Sequence, residues 1–93
     1  MKYYQWNIEK NEELKAERDV VFENVVLSIM HGALLDIVEH PNKKNYPNQK
    51  IFIVNINNYA YLVPFVEEEK TIFLKTIIPS RKMTKKYLGG EQK

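Results

Sequence analysis

Arg81, Lys82, Lys85 and Lys86 crowd into one short stretch directly after a Pro79–Ser80 break. A guanidinium is always charged and can hold two phosphate oxygens at once, so Arg81 is the first candidate for stabilising charge that builds on phosphorus. Lys85, four residues on, shares the Arg81 face of a helix, whereas Lys82 points about 100° away. Another cation, Lys75, interrupts the apolar run of Ile72, Phe73, Leu74, Ile77 and Ile78. Its ammonium needs water or a partner there. It either snorkels to the sheet margin or stands on an open sheet face where a phosphate is held. The competing reading is a core strand followed by a solvated charged helix, with Arg81 paired to a carboxylate.

Proton transfer has fewer candidates. His40 shares a loop with Lys43, Lys44 and Tyr46 and is the neutral-pH proton shuttle outside the second helix. His31 is better suited to closing that helix, where a cation complements the dipole. Tyr59 and Tyr61 alternate with Ala60 on one side of a strand and could stack on unpaired bases, each contact worth ~1–3 kcal/mol. Packing is the competing role for both. One residue of slip in the hairpin of 59–66 with 71–78 moves Lys75 to the other side of the sheet, so residue types alone leave that relationship open. No Gly-rich phosphate loop, His-Glu-x-x-His pair or Asp-rich calcium loop is present. Two histidines cannot assemble a histidine-rich metal site, so the chemistry expected is metal-independent, with no cofactor.

The elements that must position these groups follow from periodicity. A short strand at 2–4 is followed by Asn7 as an N-cap and a mostly polar helix over 8–18. Phe22, Val25, Val26, Ile29 and Met30 recur at helical spacing and predict a second helix with one buried face, ended by His31 and Gly32. Strands are expected over 34–39, 50–56, 59–66 and 71–78, with Asn57–Asn58 as a tight hairpin turn. The run 40–49, with two prolines and three asparagines, is a loop long enough to suggest function. Pro64 cannot donate to a ladder and predicts a bulge or an unpaired donor side. Ser80 caps the basic C-terminal helix. The class is α+β: two N-terminal helices packed on a four-stranded, mainly antiparallel sheet, with a short basic helix at the end.

Composition sets the outer limits. The 93 residues suit a single domain, 1–93, and 44% hydrophobic with 28% charged residues is a globular rather than a disordered balance. The net charge of +2 is uneven: residues 80–93 hold five Lys/Arg against one Glu, while residues 1–79 hold nine against eleven acidic residues. That concentration favours an anionic partner at the basic end. With no cysteine, disulfides and thiolate catalysis are excluded. The opening lacks an apolar signal region and the longest apolar run is too short to span a bilayer, so a soluble cytoplasmic protein without membrane contact is expected.

Two segments resemble a known family. LKTIIPSRKMTKKYL is similar to the C-terminal signature of the BrnT family of bacterial toxins, in which a last strand runs into an Arg-Lys motif and a basic helix. YQWNIEKNEELKAERDVVFENVV is similar to that family's opening. Pro79 and Met83 depart from the family's Arg-Lys motif. The resemblance implies a RelE-like fold and the toxin of a type II toxin–antitoxin pair, a metal-independent endoribonuclease working by attack of the ribose 2′-OH. It places Arg81 at the family's Arg. It also implies a small antitoxin of ribbon-helix-helix type that covers the toxin, with promoter DNA contacted only through that antitoxin. On this reading Arg81, His40 and Lys75 carry catalysis, and Lys82, Lys85, Tyr59, Tyr61, Lys43 and Lys44 hold RNA. The alternative is a non-enzymatic domain whose basic end binds RNA or an acidic protein surface.

Overall fold

The turn at Asn57–Asn58 organises the sheet. Both residues adopt positive φ, 56° and 65°, which closes a two-residue hairpin between β3 (Gln49–Ile56) and β4 (Tyr59–Glu67). From the Ile56–Tyr59 pair the register runs without slip to Gln49–Val66. The computed structural model describes residues 2–89, in the order β1 (Tyr3–Trp6), α1 (Ile8–Arg18), α2 (Phe22–Met30), β2 (Leu34–Glu39), β3, β4, β5 (Thr71–Leu74), β6 (Ile78–Pro79) and α3 (Arg81–Leu88). Glu91 and Lys93, which enter the terminal charge balance, lie outside the described residues.

The α+β class holds, but the sheet is larger than the expected four strands and is mixed. Its order is β1-β5-β4-β3-β2, with β6 also on β4. β1 lies parallel to β5, pairing Tyr4 with Ile72 and Trp6 with Leu74, and the other ladders are antiparallel. No helix among the described residues is long and apolar enough to cross a membrane.

Pro64 explains why the last strand is split. In a two-residue hairpin, hydrogen-bonded pairs alternate from the turn, which puts Pro64 opposite Ile51 at a non-bonded position with its ring nitrogen turned away from β3. The missing donor therefore falls on the other side of β4. There β5 stops at Leu74, opposite Phe65, and pairing resumes only at Ile78, opposite Leu62. Pro64 O still accepts from Lys75 N at 2.8 Å. Arg18 Nη1 reaches across from α1 to donate to Ile77 O at 2.6 Å, satisfying a carbonyl in the gap. Of the two expected outcomes, the β3–β4 register shows no bulge, and the donorless side of Pro64 faces the gap between β5 and β6.

The main core lies between α1, α2 and one sheet face. Leu14, Val20, Phe22 and Val25 pack on Phe52, Val54, Val63, Phe65, Leu74 and Ile77. Phe22 stacks on Trp6 with centroids 5.6 Å apart, tying α2 to the edge strand β1, and Phe52 stacks on Phe65 at 3.9 Å. Asn11 joins the helices: its Oδ1 accepts from Phe22 N at 2.7 Å and its Nδ2 donates to Glu23 at 3.0 Å. One expectation fails here. Met30 does not belong to the buried face; it is 70% exposed, lying outside the arc that Phe22, Val25, Val26 and Ile29 turn to the core.

Candidate nucleic-acid interface

The opposite sheet face carries α3, and three contacts decide how it lies. Ser80 caps it, its hydroxyl accepting from Met83 N at 3.1 Å, while Ser80 N donates to Ala60 O at 3.0 Å. Thr84 Oγ1 accepts from Ala60 N at 2.8 Å and donates to Ser80 O at 2.7 Å. Ala60 is a non-bonded position of the β3–β4 ladder, so its free backbone groups are what the helix start satisfies. At the other end the Tyr87 hydroxyl donates to Asp36 Oδ2 at 2.6 Å. Asp36 pairs with Ile53, and Ile53 with Leu62, so α3 crosses from β4 over β3 to β2.

Docking by Met83, Thr84, Tyr87 and Leu88 leaves Arg81, Lys82, Lys85 and Lys86 exposed. At 100° per residue the four cations span an outward arc of about 140°. Among the described residues none of them makes an ion pair. Lys86 Nζ stands 5.4 Å from the Tyr87 ring centroid. The donated Tyr87 hydroxyl, with Ile37 N–H second and Lys86 adding a smaller share, holds the Asp36 carboxyl below its ordinary value; the same bond raises Tyr87.

Lys75 follows the last β5 residue, is exposed and lies with its Nζ 5.4 Å from the Phe73 ring centroid. Phe73 pairs with Val66, on the face opposite Leu74 and Phe65, so Lys75 shares the α3 face. Tyr59 and Tyr61 do not. Tyr61 pairs with Val54 and packs against the main core, and Tyr59 meets it edge-on at 5.7 Å, so both lie on the α1–α2 face.

His40 continues the β2 alternation onto the α3 face, its N–H donating to Gln49 O at 3.3 Å. Its ring packs on Tyr46 at 4.5 Å and its Nδ1 accepts from Asn42 N at 3.0 Å. The imidazole lies four residues along β2 from Asp36, and Arg81 begins the helix three strands away. The register sets His40 level with Val66, by way of Gln49, and Pro79 level with Tyr61, so with strand rise and spacing of ~3.3 and ~4.8 Å the backbones of His40 and Arg81 are on the order of 20 Å or more apart. Lys43 is paired with Glu39 at 2.6 Å, which raises Lys43 and lowers Glu39, whereas Lys44 is exposed and makes no ion pair among the described residues. The structure therefore brings Arg81, Lys82, Lys85 and Lys75 to one face, leaves His40, Lys43 and Lys44 at its far end, and turns Tyr59 and Tyr61 to the other.

Residue types alone named Lys86 in the basic helix but left it out of the RNA-holding set, and they missed the Tyr87–Asp36 contact and the Thr84–Ala60 contact that seat the helix. Asp36, a carboxylate inside an apolar strand, was the one available signal for the first. Comparison with family models, with curated proteins and with solved structures found no match.

Proposed function

We propose that the chain is the toxin of a type II toxin–antitoxin pair and acts on RNA through the α3 face. The observation that carries this reading is the row of four exposed cations, none of them in an ion pair among the described residues, on a helix pinned to the sheet at both ends. The resemblance of both chain ends to the BrnT family, with its RelE-like ribonuclease fold, supplies the reaction. In that reaction the 2′-oxygen bonds to phosphorus, the P–O5′ bond breaks, a base takes the 2′ proton and the leaving 5′-oxygen receives one. Arg81 stabilises the phosphorane charge, with Lys85 and Lys75 adding to the field around it. A small antitoxin, of ribbon-helix-helix type by the same resemblance, covers the cationic face.

The experiment is expression in a bacterial host. Growth should stop on induction of this chain alone and recover when the neighbouring reading frame is co-expressed. Unimpeded growth, at matched protein levels, contradicts the proposal. A second reading, a binding domain that holds RNA without cutting it, draws support from the separation, on the order of 20 Å or more, between the backbones of His40 and Arg81, since one scissile phosphate cannot meet both. It predicts RNA binding without cleavage products.

A further inference from the structure

A cleft of about 340 Å³ opens on the α1–α2 face, between the C-terminal ends of α1 and α2 and the β3–β4 turn. That volume is in the range of small-ligand sites. Seven of its lining residues carry polar side chains, Asp19, Asn24, Ser28, His31, Asn55, Asn57 and Tyr61, and Asn24 is engaged by accepting from Val21 N at 3.1 Å. Among the described residues the other six side chains make no hydrogen bond or ion pair within the protein, and Asn55 Oδ1 is buried without a partner. Asp19 is the one carboxylate of the cleft, and neighbouring Arg18 is turned away to Ile77 O. The wall beside it is aromatic, Tyr61 with Tyr59 edge-on. Donor-rich planar ligands suit such a lining; anions do not.

The cleft adjoins the start of the basic helix around the end of the sheet. Tyr61 pairs with Pro79 across β4–β6, and Arg81 follows two residues later. The Cα atoms of Tyr61 and Arg81 are therefore no more than about 13 Å apart. A strand whose phosphate rests on the helix start can turn a base over the sheet end onto Tyr61. Guanine is the base whose N1–H and N2–H₂ donate side by side to a carboxylate, whereas adenine offers an acceptor at N1.

We propose that this cleft is a base pocket for an unstacked guanine of single-stranded RNA, stacked on Tyr61 and read by Asp19. The proposal rests on the RNA-directed reading above and adds its base preference. Its test is fluorescence anisotropy at low salt with labelled 2′-O-methyl hexanucleotides, which lack the attacking hydroxyl: all uridine, or uridine with one central guanosine or adenosine. Wild type should bind the guanosine oligomer about tenfold tighter than the adenosine one. Asp19→Asn, tolerated because Asp19 caps α1 at φ 56° and asparagine suits that left-handed position, should bring the ratio below threefold and leave uridine binding unchanged. Equal affinities in wild type, or a preference that survives Asp19→Asn, overturn the base pocket. If the oligomers still bind and Arg81→Ala weakens them all, the RNA reading stands without it. Failure of every oligomer to bind overturns both.

Discussion

The Tyr87 hydroxyl donates to Asp36 Oδ2 at 2.6 Å and ties the last turn of the basic helix to the second strand, 51 residues earlier in the chain. It fixes where the four cations stand. Asp36 is held below its ordinary 3.8 and Tyr87 above its ordinary 10.0, each mainly by this bond. A lowered acid contributes stability that is present above its unfolded value and is lost as pH falls through the folded one. A raised phenol contributes stability that is present below its unfolded value and is lost as pH climbs through the folded one. Tyr87→Phe should therefore lower the melting temperature between about pH 5 and 9, with the difference from wild type closing at both extremes. A gap that stays constant down to the acid limb would show that the bond does not involve the ionised carboxylate.

Thr84 makes the matching contact at the helix start. Thr84→Val leaves Ala60 N–H without its acceptor, which should cost about 1–3 kcal/mol in urea unfolding, while Thr84→Ser keeps the oxygen and should cost clearly less. A Thr84→Val variant as stable as wild type would show that the hydroxyl does not hold the helix start.

The two ends of α2 should respond differently. Phe22 is fully buried and stacked on Trp6, so Phe22→Ala should cost about 3–5 kcal/mol. Met30, 70% exposed, should change stability by no more than about 0.5 kcal/mol on replacement by alanine. Denaturant titration of both variants checks the layer assignment. A large loss at Met30 would place that residue under a partner surface.

Much of the architecture was legible. Asn7, Ser80 and Asn57–Asn58 declare their caps and turn through side-chain chemistry, and α1 spans the expected residues 8–18. What escaped was long-range. The parallel pairing of Tyr3–Trp6 with Thr71–Leu74 joins strands far apart in the chain, and no local pattern encodes it. The periodicity of α2 promised Met30 to the core, but the buried arc is narrower than the apolar one and stops at Val26 on that side. Lys75 and the two tyrosines needed a register that only the Asn57–Asn58 turn and the Pro64 gap settle together. Once settled, it separates them: Lys75 shares a face with α3 and Tyr61 packs behind the sheet.

Salt should report on the helix. With four cations meeting single-stranded RNA, the logarithm of the affinity should fall against log salt with a slope of about −2.8, and Arg81→Ala should flatten it by about 0.7. Anisotropy titrations with oligouridine between low and physiological salt give both slopes. An affinity indifferent to salt would move the interface off α3.

The most direct test of the account is cleavage by the purified protein and its Arg81→Ala variant. Arg81 is exposed and follows the Ser80 cap, so the variant should melt at the wild-type temperature. Incubated with end-labelled RNA, wild type should release fragments ending in a cyclic phosphate with 5′-hydroxyl partners, and Arg81→Ala should be slower by about 100- to 1,000-fold. A folded Arg81→Ala protein that cuts RNA at the wild-type rate would contradict the role given to Arg81, and a wild-type protein that binds RNA but yields no fragments would contradict the enzyme.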